Sequence, residues 1–219
     1  MAPPRRSNPL ALAVLACLQE RPMHPYEVAQ TLRVRAKHES VKLNYGSLYS
    51  VVESLEKRGL IHATETIRDG RRPERTVYEV TDSGRREFDD WLTDLVARPA
   101  KEYLQFEAAL SFIGGLTPED ALVALQERCT ALQFWMTAMR AVLQEMEASG
   151  LPRIHGLEAE YMITLYEAEL DWVRLLVKDI ESGSLDGLDQ WHEWHGRSSR
   201  PRFPPEALLA DEFPTAPSS

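Results

Sequence analysis

A mainly helical fold in two parts is predicted by three observations. Apolar residues three and four apart recur in segments that open on a proline or a capping side chain near residues 8, 25, 44, 81 and 117. One pair of alternating segments, LIHATETI and RTVYEV, brackets the turn-forming stretch RDGRRPE and reads as a hairpin. Two long apolar-striped helices then take up most of the chain beyond residue 98. At 219 residues, 43% of them hydrophobic, the chain can bury a real core in one or two domains.

Pro9 opens the first helix, which is capped by Ser7 or Asn8 and carries Leu10, Leu12, Val14, Leu15 and Leu18. Pro25 opens a second with Tyr26, Val28, Ala29 and Leu32. The third is the most informative. Asn44 can accept hydrogen bonds from the free N–H groups of the first turn, and Leu43 can staple against Leu48, so the helix begins near Tyr45. Lys57 and Arg58 complement the dipole in the last turn, and Gly59 supplies a left-handed residue to end it. Leu48, Val51, Val52 and Leu55 form an inward face, while Tyr45, Ser47, Tyr49, Ser50 and Ser54 fall on the others. These hydroxyls make an uncharged donor-rich surface suited to phosphate oxygens and base edges. Taken alone, a solvated helix face explains that surface equally well.

The surroundings decide between the two. The hairpin after the third helix carries Arg68, Arg71, Arg72 and Arg75 around Gly70. Three helices followed by a basic-tipped hairpin describe a winged helix-turn-helix, in which the third helix docks in the major groove and the two-stranded wing reaches the flanking backbone or minor groove. Thr81 caps a fourth helix striped by Phe88, Trp91, Leu92 and Leu95, and Arg98 and Pro99 close a first domain, residues 1–98. The net charge of −9 conceals an asymmetry: residues 1–75 hold 13 Lys or Arg against 8 Asp or Glu, and residues 76–219 hold 12 against 26. Phosphate contact is a local matter, so a basic face on an acidic protein remains compatible with double-stranded DNA.

Residues 9–95 also resemble the PadR-like transcriptional regulators. The likeness rests on the opening LALAVLACL, on HPYEVAQTL, on NYGSLYSVVESLEKRGLI and on GRRPERTVYEVTDSGR, a combination far more specific than a generic winged helix. In that family the Tyr-Gly-Ser-Leu-Tyr segment is the start of the recognition helix, which carries over to Tyr45, Gly46, Ser47, Leu48 and Tyr49, with Lys42 and Asn44 just ahead. The resemblance implies a homodimeric repressor of operator DNA whose C-terminal helices form the subunit interface, often beside an effector pocket. The helical C-terminal part is of the size found in the longer branch of the family; beyond about Gly183 no counterpart matches.

Next along the chain, KEYLQFEAALSFIGG forms a short helix ended by Gly114 and Gly115, and Thr117-Pro118-Glu119-Asp120 restarts the chain with a cap, a first-turn proline and two acids. The helix that follows runs toward Ser149 and Gly150 and presents Leu122, Leu125, Cys129, Leu132, Met136, Met139, Val142 and Met146. A last long helix, from near His155 to Ser182, presents Leu157, Tyr161, Leu165, Ala168, Trp172, Leu175 and Leu176, with Gly183 after it. The two are expected to pair antiparallel. So long a pair cannot bury its stripes alone, so residues 99–183 read as a dimerisation domain meeting its twofold mate in a coiled-coil-like interface. Phe106, Trp135, Met136, Met139, Tyr161, Leu165 and Trp172 are the candidates for that interface or for the pocket of a small aromatic or apolar effector. Dimer-core packing is the favoured reading for each, because aromatic and methionine stripes at helical spacing are usually core.

Residues 184–219 read as a poorly ordered tail rich in Pro, Ser and Arg, with Trp191 and Trp194 as docking groups. His192 and His195 stand three apart there, without the further ligands a metal site needs. Cys17 and Cys129 are too few for a disulfide framework and fit no metal spacing, so each is expected to pack as a small apolar side chain. The longest apolar run, Leu10 to Leu18, is about half of what a membrane span needs. No secretory signal is visible, and the expected location is the cytoplasm. No nucleophile–base set, Gly-rich phosphate loop or cofactor motif points to an enzyme. The expectation is a dimeric repressor that an effector releases from its operator. The alternatives are a winged-helix protein-interaction module and a ligand-independent DNA-binding regulator, and the arginine-tipped wing favours DNA.

Overall fold

The computed structural model describes residues 8–37, 40–67 and 75–196. The chain divides into two compact units, Met1–Lys101 and Glu102–Ser219.

In the first unit, Asn8 caps α1 (Pro9–Glu20), its Oδ1 accepting from the Leu10 N–H at 3.1 Å, with Pro9 at the first helical position. His24 caps α2 (Pro25–Val34) through Nδ1, which accepts from the Tyr26 N–H at 3.0 Å, while the Glu27 carboxylate accepts from the His24 N–H at 2.8 Å. α3 (Tyr45–Lys57) begins at Asn44, whose Oδ1 accepts from the Gly46 N–H at 2.9 Å, and it closes on Gly59 at a φ of +69°. Strands β1 (Ile61–Ile67) and β2 (Arg75–Val80) pair antiparallel with a bulge between Ala63 and Glu65. Met23 adds a rung that the sequence pattern did not announce, exchanging backbone hydrogen bonds with Tyr78 at 3.1 and 3.0 Å.

Thr81 caps α4 (Asp82–Ala97), its Oγ1 accepting from the Gly84 N–H at 3.0 Å and donating to the Gly59 carbonyl at 2.8 Å. Here the backbone of α4 lies so close to the residue that leads into β1 that a Cβ on Gly84 would stand 2.0 Å from the Leu60 carbonyl oxygen. The core joins α1, α2 and α3 with Leu60, Ile61, Val80 and Trp91. The expected α4 stripe is corrected: Trp91 is buried and Phe88 packs on the core, but Leu92 and Leu95 are 41% and 46% exposed. Positions 84, 88 and 91 form the inward row, and 92 and 95 fall on its flank.

The second unit holds α5 (Gln105–Leu110), a 3-10 turn (Ile113–Gly115), α6 (Pro118–Ala148), a 3-10 turn (Arg153–His155), α7 (Leu157–Ser182) and α8 (Leu188–Gly196). Thr117 caps α6, accepting from the Asp120 N–H at 3.1 Å, and Gly150 and Gly183 take positive φ values after α6 and α7. The two long helices pair antiparallel, with Gln126 bonded to Glu181 and Arg140 to Glu167. α6 turns Leu125, Leu132 and Met136 inward as expected, but Val142 is 56% exposed.

α7 corrects the expected face. Ile163, Leu170, Val173 and Ile180 are buried toward α6, whereas Leu157, Tyr161, Leu165, Ala168, Trp172 and Leu175 are exposed; of the expected stripe only Leu176 packs on the interior. The helix carries two apolar rows at heptad-like spacing, and spacing does not say which one the partner helix takes. The tail expected from Ser184 is also corrected as far as Gly196. Leu188 is buried, Trp191 Nε1 donates to the Leu116 carbonyl at 2.9 Å, and His195 Nε2 lies 3.0 Å from the Gly114 carbonyl. These bonds span more than seventy residues of sequence, beyond any local pattern. The rest of the expected tail, 197–219, lies outside the described residues. No helix among the described residues is long and apolar enough to cross a membrane.

Candidate nucleic-acid interface

The inward face of α3 is fixed by burial of Leu48, Val51, Val52 and Leu55, which leaves the other residues of the helix exposed. Tyr45 is 37% and Tyr49 49% exposed, and Lys42, Asn44, Gly46, Ser47, Ser50 and Ser54 are exposed with them. Asn44 spends its oxygen on the cap. Ser50 donates to the Gly46 carbonyl at 3.1 Å, so its lone pairs rather than its proton face outward. Gly46 has only the Asn44 side-chain oxygen near its bare Cα, at 3.5 Å from an added Cβ, which leaves the backbone open to close approach. Glu53 and Lys57 sit further along and pair at 2.7 Å; Lys57 holds the Glu53 carboxyl below the usual range.

Sequence reasoning passed over the neighbouring face of α2. Tyr26 stacks on Tyr45 with ring centroids 6.3 Å apart and planes 12° from parallel. Arg33 Nη1 donates to the Tyr45 hydroxyl at 2.8 Å, and its guanidinium carbon lies 4.7 Å from the ring centroid. Positions 26, 30 and 33 fall on one face of α2, a spacing that could have flagged them once α2 and α3 were read as a helix-turn-helix pair.

On the opposite flank of α3 lies a groove of about 650 Å³ bordered by Asn8, Ala11, Ser47, Ser54, Arg58 and Trp91. Arg58 is held by Glu87 at 2.9 Å, and the Trp91 indole N–H is buried there without a hydrogen-bond partner among the described residues. Of the wing arginines, Arg68, Arg71 and Arg72 lie outside the described residues, as does the side chain of Arg75, whose backbone pairs with Ile67.

The interface and effector candidates of the second unit do not converge on one site. Met136 is buried with Leu132 and Leu170, and Met139 is half-buried. Trp135 tilts against Tyr166 with centroids 5.7 Å apart, and Phe106 meets the edge of Trp172 at 6.3 Å under the Arg128 guanidinium. Tyr161 and Leu165 are exposed. A cavity of about 540 Å³ lies elsewhere in this unit, bordered by Arg140, Leu143, Glu147, Leu151, Arg153 and Glu160 at the turn between α6 and α7. His192 and His195 part company, the first lying 3.5 Å from Glu119 and the second at the Gly114 carbonyl.

Three helices, a two-stranded wing and an exposed, capped third helix define a winged helix-turn-helix of the DNA-binding class. Residues 14–90 match the model of the transcriptional regulator PadR-like family. Bacillus subtilis PadR solved with operator DNA superimposes with a TM-score of 0.63 at 18% identity, covering 79% of this chain and 99% of that one. The same protein solved with p-coumaric acid gives 0.63 at 17%, covering 78% and 98%. The Vibrio cholerae virulence activator AphA gives 0.61 at 15%, covering 79% and 98%. No curated protein matches the sequence.

Proposed function

We propose that this chain is a sequence-specific DNA-binding repressor that acts as a homodimer, and that a small aromatic or apolar effector lowers its operator affinity. The observation that carries the reading is the outer surface of α3, where Tyr45, Gly46, Ser47, Tyr49 and Ser50 stand exposed behind the Asn44 cap on a PadR-like winged helix. Lys42 and the wing residues Arg68, Arg71, Arg72 and Arg75 extend the contact onto the phosphate backbone. The operator complex of Bacillus subtilis PadR supports this reading by fold.

Residues 1–98 are assigned to DNA binding and 99–183 to dimerisation. The second apolar row of α7, with Tyr161 63%, Leu165 44%, Trp172 47% and Leu175 61% exposed, supports a twofold partner. Binding rather than catalysis is the activity, and the cytoplasm is its place. The effector part is supported by the p-coumaric acid complex of the Bacillus subtilis protein.

The test is fluorescence anisotropy on a duplex selected from genomic fragments, titrated with aromatic carboxylic acids and repeated with Tyr49→Ala. Specific affinity should fall with Tyr49→Ala while affinity for random duplex changes little, and one class of acid should release the wild-type protein. Equal losses on both duplexes would remove Tyr49 from base reading, and release by none of the acids would leave a ligand-independent regulator.

A further inference from the structure

The outer face of α2 gathers hydrogen-bond donors beside the start of α3. Tyr26, Gln30 and Arg33 line one side of α2, and Tyr45 meets them from α3. The Tyr45 hydroxyl accepts from Arg33 at 2.8 Å, and the Tyr26 hydroxyl accepts from Gln30 Nε2 at 3.2 Å. A phenol that accepts from a nitrogen keeps its own proton to give, and one polarised by a guanidinium gives it more readily. Charge points the same way. Arg21, Arg35, Lys57 and Arg58 each lie against a carboxylate, whereas among the described residues Arg33 meets none and rests instead on the Tyr45 ring. Its charge is left for an anion from outside.

We infer that Arg33 and Tyr45 together bind one phosphate of the DNA backbone, with Tyr26 holding the Tyr45 ring in position. Arg33 supplies its remaining N–H groups and the charge, and Tyr45 supplies an O–H to a second oxygen of the same phosphate. A base edge is the poorer fit, because it would leave the guanidinium charge uncompensated. The inference rests on the DNA-binding reading above. It assigns Tyr45 to positioning the protein on the backbone and leaves base reading to Gly46, Ser47, Tyr49 and Ser50.

The experiment measures affinity against salt for the wild-type protein, Arg33→Gln, Tyr45→Phe and the double variant on a selected operator. Duplexes carrying a single neutral methylphosphonate linkage at each position in turn complete it. Arg33→Gln should lower the log–log salt slope by about 0.9, the share of one phosphate. Tyr45→Phe should weaken binding about tenfold on operator and random duplex alike. The double variant should lose less than the product of the two, because both side chains hold one group. One methylphosphonate position should weaken the wild-type protein and leave the double variant unaffected. An unchanged slope for Arg33→Gln, or a linkage scan identical for all four proteins, overturns the subsite while the operator affinity of the wild type stands. If Arg33→Gln unfolds, Tyr45→Phe, which removes one exposed oxygen, decides by the same scan. A wild-type protein that prefers no duplex overturns both this inference and the reading beneath it.

Discussion

Single residues carry the local chemistry, and several can be tested alone. Gly84 lies where an added Cβ would stand 2.0 Å from the Leu60 carbonyl oxygen and 2.8 Å from Val80 Cγ2, neither of which can swing aside. Gly84→Ala should therefore cost about 2 kcal/mol or more in a denaturant melt, as overpacking against backbone does. Cys17 is 3% exposed, and burial, helped by Glu20, pushes its thiol up to about 11 from an ordinary 9.0. Folding thus favours the protonated thiol, and that contribution is complete below pH 9.0. It is lost as pH rises toward about 11, where the unfolded chain has already released its proton. Stability should fall by on the order of 2–3 kcal/mol across that window, and Cys17→Ala should flatten the fall. A thiol reagent at neutral pH should reach Cys17 only on unfolding. The buried Cys17 was legible because two cysteines make neither a disulfide framework nor a metal spacing; the Arg33–Tyr45 contact was not, since it joins side chains twelve positions apart across a helix junction.

Among the elements, caps and glycines make most boundaries readable from the sequence. Asn8, Asn44, Thr81 and Thr117 each cap the helix expected of them, and Gly59, Gly150 and Gly183 follow helices at positive φ. His24 escaped notice because histidine is an uncommon cap. What periodicity left undecided was which of two apolar rows on α7 faces α6, since both repeat at three and four. α8 has no local signature for a different reason: Leu188 clusters with Leu125, Val173 and Ile180, and Trp191 and His195 bond to the turn after α5, tertiary contacts that no pattern in the sequence announces. The cap of α3 is the one whose loss should be felt in function. Asn44→Ala should cost about 1 kcal/mol of stability and weaken operator binding as the first turn frays. A circular-dichroism melt beside a binding isotherm would show both, and unchanged affinity would mean that the first turn stands away from DNA.

For the whole molecule, α7 offers two rows with opposite expected consequences. Val173 is fully buried toward α6, so Val173→Asp should unfold the second unit. Leu165, 44% exposed on the other row, should tolerate Asp as a fold and lose the dimer. Analytical ultracentrifugation should then find folded monomers, and tight operator binding should vanish with the second half-site. A folded Leu165→Asp monomer that still bound tightly would remove the twofold arrangement. Whether the proposed dimer reads operator DNA symmetrically is decided by selection of duplexes from a random pool with the purified wild-type protein, followed by a salt titration on the best. The expected result is an inverted repeat with half-site centres about one helical turn apart and affinity falling steeply with salt. Enrichment of no sequence, or binding indifferent to salt, would contradict it.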